Sequence, residues 1–570
     1  MQQPEIGIAR EHARRLLADP WLQRALLVAV LVYVFLDGIW AGVPRSDQIL
    51  YLHHISQYDS LWDILSHSPS WNRTATDLGG DVILYRPVLY LLLGTFYYLF
   101  RYNFVAWQIA SLCLHIVVVL GLHLLLLQGR LRATLYPLVI ALLFGTAFLG
   151  SELVLWNNVV GYLLFSVLDV YAVYFFLRFL QTDRTAFLLA CGGLGLVAEF
   201  TYEMGALVNL LFAATLLARS WSARAPKASL IRRTDGRFAL MFVLTALLLP
   251  AASLFDLRVR GVAFAPHLQG VEAWGLATLV GENMARQFSF WIRAWLAPTT
   301  YQVLATPRAF ARISTSGLTG LTLLNLIALV WLLVAGVRAL ILLRRGGASM
   351  REPGFAVASS VLFLLGYSLV ISIGRTRAQV ADIVVHANIY YGYVAYLAVC
   401  VGIAAAAAAA RLQAPAAASA GAPQPDRARA AAGVDPTARF ARLGWGLVVP
   451  LAIITFANAC GVRALARAYR YDFAVPRQQV IDRVLAWQRQ AGEHTPRYFA
   501  VSPACQGDDA LWWFTEALLR KGSGWKPPVT LADALWPERS APLNAARIPI
   551  PFGSVDELRC DQGPPSPRNP

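Results

Sequence analysis

Asp47 lies in PRSDQILYLHH, where the first long apolar run of the chain stops, and Arg86 lies in YRPVLYLLLG, where the next one begins. A carboxylate within reach of an acceptor hydroxyl can take its proton as the oxygen attacks a carbon centre. A fixed guanidinium can hold a departing phosphate through two parallel hydrogen bonds. By residue type alone the two groups are a candidate proton acceptor and a candidate phosphate ligand. For Arg86 alone the competing reading is an arginine that snorkels to lipid headgroups. Arg375 and Arg377, in SIGRTRAQVADIVVHANIYYGY, leave a later apolar run and are either further phosphate ligands or topology determinants.

Other ionisable groups sit inside apolar runs, where burial is costly unless they pair or face a cavity. Glu199 and Glu203 in AEFTYEMG are spaced i, i+4, so both point into one cavity if a helix continues through them. His115 and His123 share a helix and nearly a face. Glu152, Asn157 and Asn158 form a polar break between two runs, Asp169 lies deep in another, and Asp37 competes with Asp47 for the role of base. For each of these an interhelical hydrogen bond is the competing reading.

The rest of the chain explains why such residues meet lipid at all. Its 570 residues are 57% hydrophobic and 14% charged with a mean hydropathy of +0.52, which describes an integral membrane protein. Apolar runs of about 20 residues, enough to cross about 30 Å of hydrocarbon as helices, recur. The expected spans are 24–43, 84–100, 105–128, 134–151, 159–180, 186–201, 204–219, 237–256, 318–343, 354–374, 388–411 and 442–463. The net charge of +16 does not indicate nucleic-acid binding, because the arginines fall in short loops beside these runs. Six scattered cysteines, without a CxxC or a His/Cys cluster, indicate neither a metal nor a redox motif. One isolated carboxylate is a poor site for a hard cation, so neither metal nor cofactor is expected. No P-loop, post-strand GxGxxG, HExxH or nucleophile elbow is present, which leaves ATP or nucleotide-sugar use unsupported.

Arginine-rich stretches at the N-terminus, at 219–237 and at 344–351 assign the cytoplasmic side, and the loops 44–83, 257–317 and 375–387 fall opposite. The expected organisation is a cytoplasmic N-terminus over 1–23, a transmembrane domain over 24–411 and a low-complexity cytoplasmic linker over 412–441. A last transmembrane helix over 442–463 follows, then a small α/β or irregular periplasmic tail domain over 464–570. The first apolar run reads as a retained signal anchor. RYFAVSPAC reads as a strand entering a turn, DDALWWFTEALLRKG as an amphipathic helix, and Cys505 and Cys560 as either a disulfide or two free thiols. An N-terminus inside and a tail outside require an odd number of crossings, yet the spans above come to an even number. Either an early segment does not cross or the aromatic stretch FSFWIRAWLAP adds a crossing, so 11 to 13 transmembrane helices are expected. Within the first outer loop, YDSLWDILSHSPSW reads as a short interface helix, with Leu61, Trp62 and Leu65 on its apolar side and Asp59, Asp63 and Ser66 toward water.

SDQ after the first span, RPV at the second, QIASLCLHIVVVLGLHLLL, and SELVLWNNVVGYLLFSVLDVYAVYF followed by AEFTYEMGALVNLL resemble, in that order and over roughly residues 24–220, the GT-C superfamily of membrane glycosyltransferases. The likeness is to its protein O-mannosyltransferase-like branch. Ser46 stands where that branch commonly has the first of two acidic residues, and the tail lacks a tetratricopeptide period, so mannose and protein acceptors are not implied. The resemblance implies an all-α, polytopic, GT-C-like enzyme of a bacterial inner membrane with its active site facing the periplasm. It would take a sugar from a polyprenyl-phosphate carrier and pass it, with inversion, to a glycan, lipid or protein acceptor. Asp47 would be its base, with Arg86, Arg375, Arg377, Glu199, Glu203 and His115 around the substrates and membrane lipids around the spans. A lipid or glycan flippase, and an O-antigen ligase or polymerase working through His267, Arg286 and Arg293, are the alternatives.

Overall fold

The computed structural model describes residues 19–40, 42, 55, 58–66, 86–128, 131–132, 134–155, 159–222, 228–259, 273–296, 315–345, 351–374, 390–412 and 436–475, with 478–479, 482, 499–501, 535–537 and 546–547. Its helices are α1 (Pro20–Ile39), α2 (Pro87–Phe100), α3 (Phe104–Leu127), α4 (Tyr136–Gly145), α5 (Ser151–Leu155), α6 (Gly161–Thr182), α7 (Thr185–Thr201), α8 (Gly205–Ser222) and α9 (Ala228–Val259), followed by α10 (Ala273–Leu296), α11 (Thr315–Arg345), α12 (Arg351–Gly374), α13 (Tyr390–Leu412) and α14 (Pro436–Ala468). Local chemistry sets several of the ends. Asp19 caps α1 by accepting the Trp21 N–H at 2.8 Å, and Pro20 supplies a pre-set first residue. Asn103 caps α3 through the Ala106 N–H. α6 stops at Asp183, whose left-handed φ of 55° suits a C-terminal residue and whose N–H closes on the Phe179 carbonyl. α14 extends past the expected 442–463 on both sides and ends in a π-helical turn over Tyr469–Ala474.

The bundle has two ends. We call proximal the end that holds the start of α1, with the end of α3, and distal the opposite one. Among the described residues seven helices are long and apolar enough to cross a membrane: α1, α3, α6, and the cores of α9, α12, α13 and α14. α4 and α5 together form an eighth path, bent by 50° at Thr146–Ala147. α7, with 17 residues, and α8, with 18, are shorter, about 26 Å each. They still run the full depth, because the Asp183 turn before α7 pairs with Arg219 near the end of α8, while Glu203, between the two helices, lies at the other end.

α2 is the exception. The run at 84–100 was expected to cross, but its 14 residues reach only about 21 Å. Its first turn touches the distal end of α6, where a Cβ on Gly161 would lie 2.4 Å from Leu89, and its last residue is followed within a short turn by α3, which also starts distally. Both ends of α2 therefore lie at the distal end, and the helix lies across it. α10 is likewise not among the helices apolar enough to cross; it packs Trp291 against Gly392 at the distal start of α13. Among the described residues α2, α7, α8 and the Leu323–Val337 part of α11 are shorter apolar helices, and the end of α14 lies distally, where Arg463 approaches Asp37 near the end of α1.

Hydrophobic burial drives little helix association inside lipid, so close packing and polar contacts hold the bundle. Gly38 lets α1 approach Leu155 and Ala466, and Gly121 lets α3 approach Val170 and Tyr171. Gln287 of α10 bonds Ser368 and Ser372 of α12 at 3.1 and 2.9 Å, His123 meets Gln23 at 2.7 Å, and Thr146 reaches the Thr455 carbonyl. Large apolar side chains of α9, α11 and α12, such as Leu244, Leu333 and Leu362, face outward, as a lipid-contacting surface requires. In the tail, β1 (Phe499–Val501) pairs in parallel with both β2 (Leu535–Pro537) and β3 (Ala546–Arg547), so the strand expected in RYFAVSPAC is the centre of a small sheet.

The lie of α2 is testable by labelling with a membrane-impermeant thiol reagent in a background without native cysteines. Ser66→Cys and Arg101→Cys, on either side of α2, should label from the same side of the membrane, and Ser222→Cys from the other. Labelling of the first two from opposite sides would restore α2 as a span.

Candidate active site at the distal end

The chain between α7 and α8 makes the centre of the site. α7 does not continue through Glu203 as the i, i+4 spacing suggested. It ends at Thr201, and Tyr202 is extended, with φ −148° and ψ 139°. The next helix must then start almost against the last turn of α7, and only a glycine fits there: a Cβ on Gly205 would lie 2.6 Å from the Glu199 nitrogen and 2.9 Å from the Ala198 carbonyl carbon. This break sends the two glutamates apart. Glu199 turns inward and is fully buried, accepting from Asn209 Nδ2 at 3.1 Å and from the Leu249 N–H at 3.2 Å. Leu249 directly precedes Pro250, which disturbs the helical ladder of α9, so the carboxylate serves a backbone group at a weakened point. Glu203 turns outward to Arg86.

Arg86, held in place by Pro87 at the first position of α2, presents its fork to Glu203. Nε meets Oε2 at 3.1 Å, and Nη2 meets Oε1 at 2.9 Å and Oε2 at 3.0 Å. The guanidinium lies over the Tyr202 ring at 4.4 Å, Tyr202 stacks on Tyr162 at 4.0 Å, and Tyr162 meets the edge of Tyr391 at 5.8 Å. Gly161 makes room for Tyr202, since a Cβ there would come within 3.0 Å of its ring. The Arg86 and Glu203 side chains stay 19% and 28% exposed, while the tyrosines beneath them are buried, so the pair forms the accessible lid of an aromatic shaft. Burial by itself lowers the pKa of Arg86, and the Glu203 carboxylate beside it, with Tyr202 and Tyr162, more than reverses that; the guanidinium is held charged, well above its ordinary range. Among the described residues Nη1 is left over from these contacts, and it is the arm that a second anion can meet.

Part of the first loop packs close to this lid. Residues 61–66 form a short helix whose start is capped by Ser60, which accepts the Asp63 N–H at 3.1 Å. Its buried anchor is Ile64, set against Gly94 of α2, whereas Trp62 is 72% exposed and Leu61 is exposed beside it. Of the apolar edge expected from Leu61, Trp62 and Leu65, Trp62 faces out of the protein, as suits a segment lying in the membrane interface, while Leu61 also reaches Gly94 of α2 and Leu65 is half-buried. Tyr98 of α2 fastens this loop by donating to the Tyr58 carbonyl at 2.6 Å.

The structure brings together Arg86 and Glu203 from the expected set. Asp47, with Ser46 beside it, and Arg375 and Arg377 lie outside the described residues, as do Asn157, Asn158, His267, Cys505 and Cys560; the described chain ends distally at Gly374, directly before Arg375. His115 is fully buried in α3, with Nδ1 at 2.9 Å from the Tyr393 hydroxyl and Nε2 at 2.8 Å from the Gly145 carbonyl, so both ring nitrogens are engaged in the bundle core. Asp37, the rival base, is surrounded by Arg463, Arg467 and Arg470 at 3.6 to 3.8 Å. Missed by sequence reasoning were Tyr202, Tyr162, Tyr391 and Tyr367, the last a buried hydroxyl without a hydrogen-bond partner among the described residues, within electrostatic reach of Tyr202 and Glu203. The available signal was a tyrosine between glutamates in EFTYEMG and the cluster of tyrosines in IYYGY. Among the described residues no group of three or more His, Cys, Asp or Glu side chains gathers to hold a metal ion.

No family model matches the chain, and no curated protein matches it. Solved structures similar to it include ArnT from Cupriavidus metallidurans bound to undecaprenyl phosphate, at 16% identity and a TM-score of 0.40 over 86% of this chain and 84% of that one. The apo state of the same ArnT aligns at 15% identity and a TM-score of 0.39, with the same coverage.

Gly205→Ala should push apart the turn that aims Glu203 and cost about 1–3 kcal/mol as an overpacking change. Gly193→Ala, where an added Cβ meets nothing within 4 Å, is the control. Melting in detergent should fall clearly for the first and not for the second; equal behaviour would mean that the close approach at Gly205 relaxes without consequence.

Proposed function

We propose that the chain is a GT-C-type glycosyltransferase of a bacterial inner membrane that transfers a sugar from a polyprenyl-phosphate carrier to an acceptor hydroxyl at the distal, periplasm-facing end. The observation that supports this reading most is Arg86, a charged, aromatic-backed and partly exposed guanidinium at the lipid boundary, aimed by a dedicated carboxylate. An arginine that merely snorkels to headgroups needs neither the fork-to-carboxylate contact nor the tyrosine behind it. The Arg-rich proximal end belongs to the cytoplasm by the positive-inside rule, which turns the site outward.

In the proposed reaction Asp47 takes the proton of the acceptor hydroxyl as its oxygen attacks the anomeric carbon. The bond from that carbon to the phosphate oxygen breaks with inversion, and its electron pair leaves on the polyprenyl phosphate. Charge therefore grows on the phosphate as the bond breaks, and Arg86, assisted by Arg375 and Arg377 from the chain leaving α12, stabilises it more in the transition state than before. Glu203 keeps the guanidinium charged and oriented while the site is empty. Glu199 and His115 frame the site from within the bundle, one holding α7 to α8 and α9, the other holding α3 to α13. The engagement of both His115 nitrogens in the core speaks against a polar path through the midplane, which a flippase would need.

Asp47→Asn in purified enzyme reconstituted with lipid-linked sugar should remove transfer by about 100-fold or more, the span of general-base catalysis, while leaving melting unchanged. Arg86→Ala should weaken donor binding and slow transfer together. Full activity of the first variant would remove Asp47 as the base, and an unaltered apparent affinity of the second for the lipid donor would remove the phosphate role. Lipid analysis of a deletion strain identifies the donor by the sugar-phospholipid that accumulates.

A further inference from the structure

The proximal end holds a cavity that plays no part in the proposed transfer. It lies between the start of α1 and the ends of α3 and α6, has a volume of about 520 Å³, and is lined by Trp21, Arg24, Leu127, Gln128, Arg132 and Arg178 among others. Among the described residues none of Arg24, Arg132 or Arg178 has an ion-pair partner: Asp183, at the end of α6, is engaged by Arg219 on its other flank, and Asp19 is turned back to cap α1. Three guanidiniums line one cleft, and because like charges repel, an anion held between them would lower their energy. Two of them are held rather than free: Arg24 lies over Trp21 at 4.9 Å, and Arg178 lies over Phe187 at 5.8 Å and donates to Gln128 Oε1 at 3.4 Å.

The surroundings specify the anion. Trp21 is 74% exposed, an indole at the position where aromatic residues mark the water–lipid boundary. Leu22 and Leu26 of α1 are exposed next along the helix, so the outer surface beside the cleft is one that acyl chains cover. A free inorganic anion would need neither this apolar flank nor a cavity so much larger than one phosphate. We propose that the cleft binds the headgroup of an anionic phospholipid of the proximal leaflet, with a headgroup bearing two phosphates, as in cardiolipin, matching three positive charges best. Binding there would clasp α1, α3 and α6 at the end opposite the transfer site, so it is independent of the proposed reaction.

Native mass spectrometry of the full-length protein, titrated in detergent with cardiolipin, phosphatidylglycerol and phosphatidylcholine, tests this. Cardiolipin should be retained most strongly and phosphatidylcholine least. Arg132→Gln, a change at an exposed turn residue that leaves packing intact, should lower cardiolipin affinity about fivefold, and Arg24→Gln with Arg132→Gln and Arg178→Gln should lower it about 100-fold. Arg463→Gln with Arg467→Gln, which removes two charges at the distal end, should leave it unchanged. Equal loss in the distal variant would reduce the effect to general attraction of anionic lipid and overturn the site. So would an unchanged affinity in Arg132→Gln, or displacement of cardiolipin by inorganic pyrophosphate at equal concentration, which would make the cleft a soluble-anion pocket.

Discussion

The ion pair between Arg86 and Glu203 is the contact on which the distal end depends. It ties the start of α2 to the turn between α7 and α8, two places far apart in sequence, and it does so where neither water nor lipid fully surrounds the charges. It acts beside the packing of Leu89 at Gly161, which also seats the start of α2. With it α2 becomes a beam across the bundle, and the loop helix at 61–66 has a surface to rest on. The tyrosines below contribute a wall that the guanidinium can lie against, so its orientation is set by a carboxylate on one side and a ring on the other. An arginine fixed this way has lost most of its conformational entropy before any ligand arrives, which is the usual route to selective stabilisation of a developing charge.

The two ends of the bundle solve different problems. The distal end is aromatic and carries charges in opposed sets, Arg86 with Glu203 and the arginines of α14 around Asp37. The proximal end carries Arg219 between Asp183 and Asp235, beside a cleft that has no acid of its own. Between them lie two packed apolar clusters, in which buried polar side chains such as His115 and Gln287 join helices, while the Asp169 carboxylate of α6 is buried without a hydrogen-bond partner among the described residues.

Much of this was legible in the sequence, for physical reasons that can be named. Long apolar runs such as Phe104–Leu127 were visible because crossing hydrocarbon imposes a length and a composition that little else imposes. The run at 84–100 misled for the same reason: composition reports that a helix is greasy and does not report whether it stands upright or lies flat. The clue was numerical, an odd number of crossings demanded and an even number found. Glu199 and Glu203 were recognised as special, but their separation into inward and outward partners depends on the backbone at Tyr202 and on the closeness that Gly205 permits, and i, i+4 spacing carries no trace of either. Tyr162 and Tyr391 are ordinary aromatics until the fold brings them under Arg86. Asp47 keeps its interest through chemical type and position in the chain.

α7 and α8 meet at the Glu203 turn, and each is only about 26 Å long, while the hydrocarbon layer is about 30 Å thick. A bilayer in contact with short helices thins to match them. The membrane around Glu203 and Arg86 should accordingly form a shallow depression, in which headgroups sink toward the protein's middle plane. A lipid diffusing into that depression brings its phosphate down to the guanidinium without the guanidinium having to rise. Bilayer thickness then becomes a variable of the site itself, with thicker membranes lifting the headgroups away from a receptor that cannot follow.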